Sequence, residues 1–524
     1  MAAIVLTAML SLGATASRAA DPAPADQVVA PVPALRWGPC HDLDLGNPYR
    51  CATARVPLDY DDPTGPTAIL DLLKVPAREQ GRRLGTLFVN PGGPGGSSRE
   101  FAPMAAQLLG RTVATRFDVV GIDPRGVGPS SRMTCTTDEP APAYPEQSFP
   151  VTERQAAIQW RFSQWQRAAC SHNPGRIVHH MSTADTARDM DLIRQAVGDA
   201  ALNYYGISYG TQLGSTYASL FPSRVGRLVV DGVLDPVAWA TGWKRPPVLP
   251  FSTRLHSARG ASEGLVAALA ECDRVGRPAC SFAGDAPAKW RRLVAIARAG
   301  DLTVGGQEMS YPDLIGLTLA NLYGSDYTGL AGFYQTLWRE NVARDAQPPA
   351  APVDLEAMRR QAAAIATAPY APVPRRTSVV GDAFFGVACA DSRNPRTREA
   401  WWEAGRVEDA RYPWFGSLWT WASSGCGGWP GAAKADGYLG PFGGPTANPI
   451  LVVGNTHDPA TPWHGAQQVA RLFDSARLVR MDGWGHGALG NTCVTALYDR
   501  YYASGALPAH GTVCPADGPL YAGS

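Results

Sequence analysis

The stretch Tyr204-Tyr205-Gly206-Ile207-Ser208-Tyr209-Gly210-Thr211 constrains this chain more than any other. It reads Gly-x-Ser-x-Gly, with a short β-type run before it and a helical run after it. A serine on so sharp a strand-to-helix turn has a strained backbone, an exposed Oγ, and the next N–H aimed at the same spot. Strand and helix pass so closely that side chains two residues to either side would collide, and Gly206 and Gly210 remove them. The five-residue pattern is common by itself, so its weight depends on the rest of the chain.

The surrounding sequence supplies a sheet. Strands are expected at 68–75, 85–90, 117–123, 201–205 and 227–231, and again at 449–455 and 476–481. Gly85-Thr86-Leu87-Phe88-Val89-Asn90 and Phe117-Asp118-Val119-Val120-Gly121-Ile122-Asp123 are almost continuously apolar, as parallel strands covered on both faces must be. Helices are expected at 183–197, with Thr183 as a cap, and at 211–220, stopped by Pro222. Strands alternating with helices give a parallel α/β sheet. Residues 36–58 read as an irregular entry and 134–152 as a surface excursion. From about 236 to 445 the rhythm changes to helical segments, such as 265–272, 289–299 and 355–366, between Pro- and Gly-rich loops crowded with tryptophan. We read this as a mainly helical insertion over the sheet. The expected organisation is therefore a core in two parts, 36–235 and 446–524, interrupted by a cap at 236–445.

Loops at the ends of these strands carry the candidate chemistry. The first strand of the buried pair runs into Pro91-Gly92-Gly93-Pro94-Gly95-Gly96-Ser97-Ser98. The spacing Gly-x-Gly-x-x-Gly fails there, because Ser98 stands at the third position, and no Gly-Lys-Ser/Thr follows. A backbone loop that meets an oxyanion fits best. A serine nucleophile needs a base, and the base an orienting acid. Asn455-Thr456-His457-Asp458-Pro459-Ala460-Thr461-Pro462 and Gly483-Trp484-Gly485-His486-Gly487 each follow one of the last two strands, which makes Asp458 the candidate acid and His486 the candidate base. His457 and His464 are weaker candidates, since they share the acid's loop. Asp482 is a poor acid, because it adjoins His486 on one loop. The order Ser, Asp, His is the one expected of such a sheet.

Composition bears on compartment and partners. With 524 residues, 45% of them hydrophobic, the chain can bury a large core. A net charge of +1 argues for neither nucleic acid nor an anionic membrane surface. Residues 2–14 are apolar and small residues follow, which reads as a signal peptide over 1–20, ahead of a Pro- and Ala-rich, disordered leader over 21–35. No stretch is long enough for a stable membrane span. The ten cysteines are even in number and fall in local pairs, as in an exported, oxidised protein. Sequential pairing closes the shortest loops: Cys40–Cys51, Cys135–Cys170, Cys272–Cys280, Cys389–Cys426 and Cys493–Cys514. No Cys/His cluster has zinc spacing, and His179-His180 reads as surface; no metal and no cofactor are expected.

Together, Asn90-Pro91-Gly92-Gly93-Pro94-Gly95-Gly96-Ser97, Gly121-Ile122-Asp123-Pro124-Arg125-Gly126, Gly206-Ile207-Ser208-Tyr209-Gly210, Asp458-Pro459-Ala460-Thr461-Pro462 and Gly485-His486-Gly487 resemble the α/β-hydrolase fold. Within it they resemble the secreted actinobacterial tripeptidyl aminopeptidases related to proline iminopeptidases, over roughly residues 36–515. That group also includes cell-envelope carboxylesterases. The resemblance implies acyl transfer through Ser208, His486 and Asp458, with the amides of Tyr209 and Gly93 as oxyanion donors and a peptide as substrate. An exopeptidase must also hold the substrate's α-ammonium, and Asp382, Asp391 and Glu403 in the insertion are the candidate carboxylates. Oligomeric state is left open.

Overall fold

Strands form where apolar side chains alternate between two faces, and the alternation is visible residue by residue. The computed structural model describes residues 27–522, apart from 42, 44–47, 173–174, 244–247, 344–377, 380–382 and 431–436. Nine strands make one sheet: β1 (Arg50–Pro57), β2 (Thr67–Val75), β3 (Gly85–Asn90), β4 (Phe117–Ile122), β5 (Leu202–Ser208), β6 (Val225–Val233), β7 (Ile450–His457), β8 (Arg477–Trp484) and β9 (Val513–Pro515). Their spatial order is β1-β2-β4-β3-β5-β6-β7-β8-β9. β2 runs antiparallel to β1 and β4, and every pairing from β4 to β9 is parallel. Phe88, Tyr204 and Val230 belong to the core on one face, Val89, Tyr205 and Val229 to that on the other. That period of two is what a sheet covered on both sides requires.

The expected strands of the sheet hold to within a few residues; β1 and β9 were not expected, and one helix cap differs. Residues 50–57, read as irregular, form β1, because Ala52, Ala54 and Val56 alternate inward. Alanine is too weakly apolar to announce such a pattern. The N-cap of the helix after residue 182 is Ser182, whose hydroxyl accepts from the Asp185 amide, and Thr183 opens the helix instead.

Helices cover both faces. Those used below are α1 (Ser98–Leu108), α2 (Glu153–His172), α3 (Thr183–Ala196), α4 (Tyr209–Leu220), α5 (Ser257–Val275), α6 (Ala286–Ala299), α7 (Tyr311–Leu322), α8 (Thr328–Trp338), α9 (Ala383–Asp391), α10 (Arg398–Arg411) and α11 (Gly416–Ala422), then α12 (Trp463–Leu472) and α13 (Thr492–Ser504). Between β6 and β7 the described chain is mainly helical, with short two-residue strands at 303–304, 307–308 and 378–379. Leu265, Trp290, Leu314, Tyr334, Trp401 and Trp421 pack together there, in a cluster shared with Phe149 and Trp160 before it and Leu520 and Tyr521 after it. The five disulfides pair as expected, Cys40–Cys51, Cys135–Cys170, Cys272–Cys280, Cys389–Cys426 and Cys493–Cys514. Among the described residues no helix is long and apolar enough to cross a membrane. Residues 1–20, the first six residues of the leader (21–26) and the helix expected at 355–366 lie outside the described residues; in the rest of the leader the Val28 amide donates to Asp191 Oδ2 at 2.8 Å.

β3 and β5 are neighbours, and their C-terminal loops leave in opposite senses along the sheet, one towards β4 and one towards β6. A parallel sheet opens a crevice at such a point. Asn90 and Ser208 end the two strands there.

Candidate active site

Ser208 is the last residue of β5 and the N-cap of α4, with φ 60° and ψ −126°. This is a costly conformation for a residue with a side chain, and its surroundings impose it. A Cβ on Gly206 would stand 2.3 Å from the Gly210 carbonyl oxygen, and one on Gly210 would stand 2.6 Å from that of Asn90. The two glycines thus allow strand, helix and the β3 loop to meet at one point. The Thr211 hydroxyl donates to the Ser208 carbonyl at 2.6 Å and accepts from the Leu234 amide at 2.9 Å, which ties the turn to β6.

The glycine loop lies directly on this turn. A Cβ on Gly92 would be 2.6 Å from the Ile207 carbonyl oxygen and 2.8 Å from both the Ser208 Cβ and the Tyr209 amide nitrogen. Asn90 shapes the loop: its Oδ1 accepts from the Gly92 amide at 2.9 Å and its Nδ2 donates to Ser98 Oγ at 3.1 Å. Gly93 follows at φ 109°. Tyr209 opens α4, so its amide is one of the first-turn donors that have no partner inside the helix. The two candidate oxyanion amides therefore sit on backbone segments in contact beside Ser208.

Asp458 is buried, 1% exposed, at the end of β7. Its Oδ1 accepts from the amides of Ala460 at 2.9 Å and Thr461 at 2.8 Å, and its Oδ2 from Thr461 Oγ1 at 2.8 Å and the Gly487 amide at 2.9 Å. His486 Nδ1 lies 3.0 Å from both carboxylate oxygens. A carboxylate can only accept, so Nδ1 carries the proton and Nε2 is left with its lone pair. Burial pushes Asp458 up, but the charge of His486 and the incoming hydrogen bonds hold it below its ordinary value. Burial pulls His486 down, yet the Asp458 charge, their hydrogen bond and the charge of Asp231 hold it above its ordinary value. The His486 amide donates to the Tyr323 carbonyl at 3.0 Å, and the Tyr323 ring stands edge-on at 5.0 Å. Asn455 Nδ2 donates to the carbonyls of Gly485 at 2.9 Å and Gly487 at 3.2 Å. A cleft of about 580 Å³ opens beside His486, walled by Tyr323, Asp326, Trp484 and Asp517.

The weaker candidates have other surroundings. His457 stacks on Trp484 with centroids 4.0 Å apart, and His464 bonds Gln468 at 3.1 Å. Asp482 is exposed and accepts from Thr456 Oγ1 at 3.0 Å.

Of the carboxylates considered for the substrate's ammonium, the two that are described, Glu403 and Asp391, have different surroundings. Asp382 lies outside the described residues. Glu403 is exposed on α10 and pairs with Arg406 at 3.3 Å. Asp391 at the end of α9 is 2% exposed and turned inward. Its Oδ1 accepts from the Thr183 amide at 2.8 Å, and its Oδ2 from the Thr183 hydroxyl and, at 3.4 Å, from Trp239 Nε1. Thr183 in turn bonds the hydroxyl of Tyr209. Burial outweighs these bonds and raises the carboxyl to about 7. The expectation that Asp391 meets an ammonium is corrected here, since its oxygens are taken up by α3 and Trp239 behind the turn of Ser208.

Sequence reasoning assigned no role to Asn90, Thr461 or Asn455, although all three stand in motifs it singled out. A polar residue within the motif, at or just after a strand end, was the signal available.

A family model described as "alpha/beta hydrolase fold" matches residues 85–252, and one described as "TAP-like protein" matches 412–514. Over 92% of this chain and 86% of the relative, the sequence is 29% identical to the tripeptidyl aminopeptidase of Streptomyces coelicolor. It is 30% identical to the serine protease Hip1 of Mycobacterium tuberculosis, over 92% of this chain and 91% of that protein. It is 32% identical to carboxylesterase B of the same organism, over 96% and 94%. Fold and relatives together define a serine hydrolase of the α/β-hydrolase fold. More narrowly, the chain belongs to the family that holds the actinobacterial tripeptidyl aminopeptidases and Hip1.

Proposed function

We propose that this protein is a secreted serine exopeptidase that hydrolyses peptide bonds near a free N-terminus through Ser208, His486 and Asp458. The observation that carries the reading is the paired approach of His486 Nδ1 to both Asp458 oxygens at 3.0 Å, on loops beside a serine held at φ 60°. Ser208 Oγ attacks the scissile carbonyl carbon and gives its proton to His486 Nε2. The oxyanion is met by the amides of Tyr209 and Gly93, each contributing on the order of 3 kcal/mol. His486 then protonates the leaving amine, the C–N bond breaks, and Ser208 carries the acyl group as an ester. Water, deprotonated by His486, attacks that ester; the acid leaves and the proton returns to Ser208 Oγ.

In this reading residues 36–235 and 446–524 form the core and 236–445 the cap that limits what reaches Ser208. The five disulfides support export. A second reading is a carboxylesterase with the same triad, favoured by the identity to a protein of that name. Both are tested on a tripeptide chromogenic amide, its N-blocked form and a nitrophenyl ester. The peptidase reading expects the free tripeptide to be preferred, and preference for the blocked peptide refutes it. Fast ester cleavage without dependence on a free amine selects the esterase. Ser208→Ala should reduce all turnover to below about a thousandth with the fold intact, and retention above that removes Ser208 from the mechanism.

A further inference from the structure

One buried carboxylate near the site has no part in the steps above. Asp231, near the end of β6, is 0% exposed. Its Oδ2 accepts from the Tyr205 hydroxyl at 2.8 Å and the Tyr498 hydroxyl at 3.0 Å. The Ala488 amide donates to both of its oxygens, at 2.9 and 3.2 Å. Four approaches arrive and all are donors, the pattern of an ionised carboxylate. Ala488 is two residues beyond His486, and the amide between them, that of Gly487, goes to Asp458 at 2.9 Å. The strand and loop also touch directly, since a Cβ on Gly232 would be 3.2 Å from the Gly487 Cα.

We propose that Asp231 is a second acid of this site, a positioning residue that fixes the His486 loop from the neighbouring strand and stabilises the imidazolium formed when Ser208 loses its proton. The proposal rests on the triad reading given above. Holding the Ala488 amide needs only an acceptor, which an asparagine or serine offers without the penalty of a buried charge. A carboxylate adds one thing they lack, a negative charge, and burial at 0% exposure keeps it out of contact with solvent. The beneficiary is the one group nearby that becomes positive. His486 feels that charge, and Asp231 in turn feels His486. Burial raises Asp231 to about 6, with Tyr205, Tyr498 and the Ala488 amide opposing the rise, so it is ionised at neutral pH. The other titratable groups facing the pair are Asp458 from the end of β7, Tyr502 from α13, and Tyr323 and Tyr327 from the α7–α8 region. Burial holds the five tyrosines here, Tyr205, Tyr498, Tyr502, Tyr323 and Tyr327, above their ordinary value, and they stay neutral.

The test is the pH profile of kcat/KM on the tripeptide amide or the ester, whichever is turned over. Asp231→Asn keeps an acceptor for Ala488 and removes the charge. Its acid limb should move to lower pH, because His486 loses a charge that favours its protonated form, and kcat on the plateau should fall on the order of tenfold. The double variant Tyr205→Phe with Tyr498→Phe strips two donors from the carboxylate while leaving its shape. It should move the acid limb the same way, and it carries the test if Asp231→Asn does not fold. A purely structural role would lower activity at every pH and leave the limb in place; an unmoved limb in a folded variant overturns the proposal. Failure of the triad reading looks different, since Ser208→Ala or His486→Ala would then retain turnover.

Discussion

Gly92→Ala isolates the contact on which the proposed oxyanion site depends. The added methyl would lie 2.6 Å from the Ile207 carbonyl oxygen, 2.8 Å from the Ser208 Cβ and 2.8 Å from the Tyr209 amide nitrogen. No flexible side-chain end stands among these, so the loop itself must retreat. Gly92 also has φ 90°, which costs any L-residue about 1–2 kcal/mol. Overpacking against backbone adds about 1–3 kcal/mol. The expected loss of stability is therefore about 2–5 kcal/mol, and kcat should fall about 100- to 1,000-fold as one oxyanion donor is displaced. Gly198→Ala is the control: its φ is 79°, and nothing lies within 4 Å of the added methyl. It should lose about 1–2 kcal/mol, the backbone cost alone, and no activity. Urea unfolding of both variants, with kcat on a nitrophenyl ester, separates backbone strain from loop displacement. Normal turnover by folded Gly92→Ala would refute the claim that this loop meets the oxyanion.

Asp391→Ala leaves the Thr183 amide and hydroxyl without their acceptor and should cost about 1–3 kcal/mol. As Tyr209 is freed, kcat should fall about tenfold to a hundredfold with KM changed less, whereas Asp391→Asn should recover most of both. Because burial raises the Asp391 carboxyl to about 7, folding favours its protonated form. Its contribution to stability is lost as pH rises from its unfolded value through about 7, so denaturation at pH 5 and pH 8 should differ less for Asp391→Asn than for the wild type. Removing the Cys389–Cys426 bridge, with its sequence separation of 37, should cost about 3–4 kcal/mol in the chain-entropy model. Denaturant unfolding of the double serine variant checks it, and an unchanged midpoint counts against the bridge.

The legible parts of this fold were those encoded locally. β3, β4 and β7 are dense in Val, Ile and Leu, and each runs into a loop whose glycines or polar residues mark its end. Ser208 ends β5, and Asp458 and His486 follow β7 and β8, each within its own short motif, so the chain order exposed them. β1 was not legible, because alanines carry its buried face. Neither was the fate of the buried carboxylates. Asp391 is satisfied by Thr183, 208 residues away, and Asp231 by Tyr498, 267 residues away. An acid written in sequence looks solvated until the distant donor that permits its burial is known.

The insertion illustrates the same limit more sharply. Read along the chain it looks like a separate helical unit, but its backbone is fitted to each of the three candidate loops. A Cβ on Gly95 of the glycine loop would be 3.3 Å from the Phe384 amide nitrogen at the start of α9. One on Gly260 of α5 would be 2.5 Å from the Asp458 carbonyl oxygen, and one on Gly485 would be 2.5 Å from that of Gly324. The Ser257 hydroxyl adds a 2.6 Å bond to the Ala460 carbonyl. Each loop thus approaches the insertion at a glycine, on one side of the contact or the other, and the contacts at Gly260 and Gly485 leave no room for a side chain. Helices seated this tightly cannot slide over the loops without moving them. Asp391 extends the coupling inward, because the helix that rests on Gly95 also reaches Tyr209 through Thr183. In the proposed mechanism, then, the segment that selects the substrate also sets the geometry of the groups that cleave it.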